Sequence, residues 1–174
     1  MKFFEYQAAA ASTAMPAAFS DAYLVPMIVG EIGELFGQKA KAHWHGWDAA
    51  RLRTELVSEY GDIAWGTAIL LSTRGVHHFE VKSDPMNEHA LTRWGNKMDA
   101  WQVLLQRGQY LHQWYTEQET HSYIRGEAQQ LWVTLATFSE AITGASFDEV
   151  LQTNLAKLAG RVQRGTLVGS GDHR

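Results

Sequence analysis

Glu31 and Glu34 stand three residues apart, and so do Glu59 and Asp62. On a helix such residues are neighbours, with Cβ atoms about 5–6 Å apart, so each pair would form a two-carboxylate clamp. Without a counter-charge the two acids repel, and each resists ionising beside the other. A hard divalent cation that takes oxygen ligands, Mg²⁺ or Mn²⁺, relieves both effects. Number alone does not establish a site: 19 acids among 174 residues produce about two such pairs by chance, and two are present. A solvated helix face is the ordinary meaning of either pair taken alone. Their setting carries the reading, because both lie beside apolar stripes on consecutive helices joined by a short loop. Such helices are expected to pack antiparallel and bring four carboxylates together. Glu55, one turn before Glu59, is either a fifth member or a plain surface acid.

A second constellation lies near the end of the chain. Asn154, Lys157, Arg161 and Arg164 follow one another along one helical face, opposite Leu151, Leu155 and Leu158. Such a face suits an anionic ligand, and it equally suits a helix C-terminus whose cations favour the helix dipole. Gly169-Ser-Gly-Asp172 beyond it has the composition of a backbone phosphate cradle or of a frayed tail.

The elements that must position these residues read as helices throughout. Prolines occur only at 16, 26 and 85, and the apolar residues between them recur at helical spacing. The expected fold is all-α, a helical bundle. Pro26 suits the first turn of a helix carrying Ile28, Ile32 and Leu35 and running to about Lys41. A loop from His43 to Trp47 follows, with Asp48 as N-cap of a helix carrying Leu52, Leu56, Ile63 and Leu70 that stops near Gly75. After a polar connector, Leu91, Trp94, Met98, Trp101, Leu105 and Gly108 form a coiled-coil-like seam. Glu127 to Thr143 reads as the next helix, and Ser146 to Glu149 as a capping box opening the last. The segments beginning at Glu59 and Glu127 are faintly alike, as unrelated apolar helices often are.

Composition narrows the chemistry. The length suits a single domain, 1–174. A net charge of −4 and a pI near 6.0 provide no basic field for nucleic acid. The absence of cysteine excludes disulfides, thiolate nucleophiles and cysteine-bound zinc, and it is compatible with a reducing cytoplasm. The opening residues read as a short helix rather than a signal peptide, since Glu5 and Gln7 interrupt the apolar run. No window reaches the roughly 20 apolar residues of a membrane span.

Four stretches then occur in order: Phe4-Glu5-Tyr6-Gln7 with Ala11 to Ala14; Gly30 to Leu35; Glu59 to Ile63 with Trp65; and Asn154 to Leu158 with Arg161, Arg164-Gly165, Gly169 to Asp172 and Arg174. Together they resemble the MazG-like all-α nucleoside triphosphate pyrophosphohydrolases, in the short form common in phages and actinobacteria. Glu31 and Glu34 match the family's ExxE motif, and Glu59 and Asp62 its ExxD motif. The resemblance implies that these four acids hold two or more Mg²⁺ or Mn²⁺ ions and are the catalytic residues. It implies hydrolysis of a nucleoside triphosphate to monophosphate and pyrophosphate, with a slight lean to dGTP or GTP by analogy with a phage member that supplies dGMP. Lys41, Asn154, Lys157 and Arg161 would meet the phosphates, and Trp44 or Trp47, with Trp65 a further candidate, the base. A homo-oligomer, dimer or tetramer, in the cytoplasm, or the host's if phage-encoded, would follow. About 76–125 departs from the family as an inserted helical segment.

Rival readings fail on particular residues. A Nudix box would need an acid at Gly46, an arginine at Thr54 and a glutamate at Ser58. Di-iron bundles need Glu-x-x-His and HD-type phosphohydrolases His-Asp, and neither occurs. The alternative from another class is a non-catalytic helical module whose Leu91 to Gly108 seam binds a partner helix.

Overall fold

The structure is a computed structural model that describes residues 1–78, 99–117 and 121–165, and among these every regular element is helical. Helix α1 (Phe3–Ser12) leads through a 3₁₀ turn (Pro16–Ala18) into α2 (Asp21–His45), α3 (Ala49–Thr73), α4 (Ala100–Thr116), α5 (His121–Thr143) and α6 (Phe147–Gln163). The expected all-α bundle is present.

The centre of the bundle is the α2–α3 hairpin. Gly46 takes a left-handed φ of 63°, which frees the chain to leave α2, and Asp48 caps α3 by accepting the Arg51 amide at 2.7 Å. Along the hairpin Asp21 pairs with Arg74, Met27 and Ile28 face Gly66, and Gln38 reaches Glu59. One number rises as the other falls, so the two helices are antiparallel. Gly66 allows their close approach: a Cβ there would lie 2.7 Å from Met27 Cε and 2.8 Å from Ile28 Cγ1.

Between Leu56 and Leu71, α3 is buried on nearly every side, because α1, α2, α5 and α6 all pack on it. Gln7 of α1 donates to the carbonyls of Ala68 at 3.0 Å and Val76 at 2.9 Å. Trp132 of α5, only 2% exposed, is enclosed by the rings of Phe3, Tyr6 and Phe147, with centroids 4.9, 5.8 and 5.1 Å away. Its large apolar area joins α1, α5 and α6 in one contact.

Several boundaries differ from the sequence reading. Pro26 lies inside α2 rather than in its first turn, since the helix starts at Asp21. Pro26 removes one backbone donor but faces solvent, while Leu24, Val25 and Ile28 are fully buried and hold the helix on course. His43 and His45 belong to the last turn of α2, not to a loop. The expected seam is not one continuous helix. Asp99 is an extended N-cap that opens α4 at Ala100, and α4 runs past Gly108 to Thr116. Its inner face is Leu104, Gly108 and Leu111, with Leu105 turned outward; Leu91, Trp94 and Met98 lie outside the described residues. Trp101 packs edge-on against Phe36 at 5.2 Å, and the Lys39 ammonium lies 4.1 Å from the Trp101 ring centroid. Within the segment expected as an insertion, α4 packs against α2, and the segment's expected end near 125 falls within α5.

Replacing Trp132 with Ala is expected to cost about 3–5 kcal/mol, because three rings lose their common partner. Urea unfolding of the two proteins measures the difference, and a loss below about 1 kcal/mol contradicts this packing role.

Candidate metal centre

Glu31, Glu34 and Gln38 fall on one face of α2, opposite the part of α3 that carries Glu59. One carboxylate oxygen from each of Glu31, Glu34 and Glu59 lies within 4.8 Å of the other two. Oxygens around an ion at ~2.1 Å stand about 3.0 Å apart when adjacent and about 4.2 Å when opposite, so the three can close on one hard cation. A donor set made wholly of carboxylate oxygens favours Mg²⁺, Mn²⁺ or Ca²⁺ over softer metals.

Burial is graded across the trio: Glu34 is exposed, Glu31 half-buried, and Glu59 only 6% exposed. Gln38 donates from Nε2 to Glu59 Oε1 at 2.6 Å. Burial raises the Glu59 pKa above the usual carboxylate value, and the charges of Asp62 and Glu34 push the same way. The Gln38 hydrogen bond and the Lys157 charge oppose the rise without cancelling it. Glu59 is thus a buried acid whose ionised form gains from added positive charge.

Asp62 does not join the trio. Asn154 donates from Nδ2 to Asp62 Oδ1 at 2.9 Å, and the Lys157 ammonium forms an ion pair with Oδ2. Lys157 also donates to Ser58 Oγ at 3.1 Å. The four-carboxylate cluster expected from the sequence is therefore three acids with Asp62 alongside. The cause is α6, whose Lys157 and Asn154 take the two oxygens of Asp62.

Asn154 also departs from its expected place on an open cationic stripe. It is 2% exposed and belongs to the buried face of α6 with Leu151 and Leu158, while Lys157 and Arg161 are half-buried and Arg164 exposed. Its Oδ1 accepts from the Tyr6 hydroxyl at 2.9 Å. Burial first, and Asp62 second, hold the Tyr6 pKa well above its ordinary value, so this hydroxyl keeps its proton. Tyr6, Gln38 and Ser58 were missed as site residues. Gln38 and Ser58 each had a local signal, Gln38 four residues beyond Glu34 and Ser58 four residues before Asp62 on the same helical face.

The remaining candidates are dispersed. Lys41 is exposed on the Glu34 face, about 10 Å further along α2. Trp44 is 83% exposed. Trp47 is half-buried, with the Arg51 guanidinium 4.1 Å from its ring centroid and the His45 ring stacked at 6.4 Å. Trp65 faces α1 instead, donating toward Ala10 O at 3.3 Å and Thr13 Oγ1 at 3.2 Å. Glu55, one turn before Glu59 on α3, is half-buried and outside the close group. Gly169 to Asp172 and Arg174 lie outside the described residues.

No family model, curated protein or solved structure matches the chain. No helix among the described residues is long and apolar enough to cross a membrane.

The raised Glu59 pKa has a definite sign for stability. The folded state binds the Glu59 proton more readily than the unfolded chain, so stability falls as pH rises through the interval between the two pKa values. In chelator, Glu59→Gln is expected to raise the melting temperature at neutral pH, since the amide oxygen still accepts from Gln38. The gain should vanish at pH values below the ordinary carboxylate range. A gain that is equal at both pH values contradicts a buried, reluctant carboxylate.

Proposed function

We propose that the chain is a metal-dependent nucleoside triphosphate pyrophosphohydrolase of the MazG-like kind. The convergence of Glu31, Glu34 and Glu59 from two antiparallel helices supports this reading most directly. A triphosphate is itself highly anionic, so such a site needs cations between acids and substrate. When bound, two or more Mg²⁺ or Mn²⁺ ions supply that charge and lower the pKa of the attacking water.

The protein's own groups divide the remaining work. Glu31, Glu34, Glu59 and Asp62 hold the ions and fix where the α-phosphorus lies. Water adds at phosphorus as the bond to the β-phosphate oxygen breaks, leaving nucleoside monophosphate and pyrophosphate. Lys157 and Arg161, with Lys41, balance the phosphate charge. Lys157 can do so by exchanging Asp62 for a phosphate oxygen. Asn154 serves the phosphates indirectly, through Asp62. Trp44 offers an exposed ring for the base, with Trp47 beside it. A deoxynucleotide, dGTP ahead of others, a homo-oligomeric assembly and a cytoplasmic setting complete the proposal.

Pyrophosphate release from the eight common NTPs and dNTPs, with Mg²⁺ or Mn²⁺, tests it. At least one nucleotide should be turned over, and Glu34→Gln, Glu59→Gln and Asp62→Asn should each lower the rate by about 100-fold. No release from any nucleotide, together with no Mn²⁺ binding, returns the chain to the non-catalytic helical reading. Full activity in all three variants removes the acids from the mechanism.

A further inference from the structure

Two fully enclosed polar side chains stand behind Asp62. Tyr6 is 0% exposed and Asn154 2% exposed, and they come from α1 and α6, at opposite ends of the chain. The Tyr6 hydroxyl donates to Asn154 Oδ1 at 2.9 Å, which leaves the Asn154 amide nitrogen to donate to Asp62 Oδ1 at 2.9 Å. A rotated amide would set its oxygen against the Asp62 carboxylate, which only accepts, and lose the bond to Asp62. Gly61 makes the approach possible: a Cβ there would lie 2.8 Å from Asn154 Cβ and 3.0 Å from Nδ2. With Oδ1 taken, the orientation of Asp62 is fixed and Oδ2 remains for a cation, here the Lys157 ammonium.

We infer that Tyr6 and Asn154 are positioning residues for the cation centre, holding Asp62 by one oxygen so that its other oxygen meets either Lys157 or a divalent ion shared with Glu59. This rests on the cation reading of the carboxylates given above. The chain explains why a tyrosine of α1, which touches none of the four acids in hydrogen bonding, is buried as a donor in an otherwise apolar contact with Trp132. Without its hydroxyl Asn154 Oδ1 loses its buried donor, and the amide that holds Asp62 is less firmly placed.

Titration of the full-length protein with Mn²⁺ alone, followed by electron paramagnetic resonance, separates positioning from a merely structural role. Tyr6→Phe keeps the ring and its packing, and is expected to weaken Mn²⁺ binding by about 10-fold. Asn154→Ala should do the same, and the double variant should be no weaker than the worse single one, because both act through Asp62. Tyr60→Phe is the control, since that buried hydroxyl donates to Leu135 O at 3.0 Å, away from Asp62. Its Mn²⁺ affinity should equal that of the wild type. Unchanged or tighter Mn²⁺ binding by folded Tyr6→Phe overturns the positioning role alone. Loss of affinity in Tyr60→Phe equal to that in Tyr6→Phe also overturns it, by assigning the effect to general loosening. If the wild type binds no Mn²⁺, the cation centre itself falls, and the positioning role with it.

Discussion

Glu59 sits within the stretch of α3, Leu56 to Leu71, that is buried on nearly every side, and the groups around it answer the conflict this creates. A carboxylate removed from water strongly resists ionisation unless hydrogen bonds or opposite charges face it. Helix α2 supplies Gln38 directly onto Glu59, and α6 supplies Lys157 one turn further along α3. Both depend on how closely the neighbouring helices dock. The same apolar packing that buries Glu59 therefore delivers the groups that make its burial tolerable.

Helix α6 is fixed at two levels. Near its start, Arg53 of α3 donates to Gly144 O at 3.1 Å and to Glu149 Oε1 at 2.6 Å. These are exposed groups, and their contribution to stability is small. Deeper down, Asn154 lies against Gly61, and Lys157 joins Ser58 and Asp62. Movement of α6 would expose Asp62 and break the link to Tyr6 in α1. The candidate centre is thus coupled to the seam between the two ends of the chain.

Helix α4 contributes differently. It packs on α2 through Trp101 on Phe36 and Gly108 on Ile32, and it brings its own partly buried ion pair. Arg107 donates to Glu127 Oε1 at 3.2 Å, and Glu127, although paired, has a pKa raised above the usual value, mainly by burial. Removing either partner would leave a charge with poor solvation, so the pair fixes how α4 and α5 meet. Glu127 resembles Glu59 in being a buried helical acid. It differs in its partner: an arginine satisfies it, whereas Glu59 faces further carboxylates.

The sequence by itself determined the helical class, the Asp48 and Ser146 caps, the glycine stop at 75, and the placing of Glu31, Glu34 and Glu59 on facing helices. Each of these follows from spacing within a turn or two, where helical geometry leaves little freedom. It misjudged Pro26, because a local signal for a helix start was overridden by the burial of Leu24 and Val25. It also misjudged the face of α4, because apolar residues at 104 and 105 both fit a periodic stripe until packing against α2 selects one. Only the tertiary structure decided that Asp62 belongs to Lys157 and Asn154 rather than to the trio, and that Tyr6 stands behind it. Those partners lie 95, 92 and 148 residues apart in the contacts that join them. No periodicity spans such distances, and the pairing arises only when α1 and α6 close on α3.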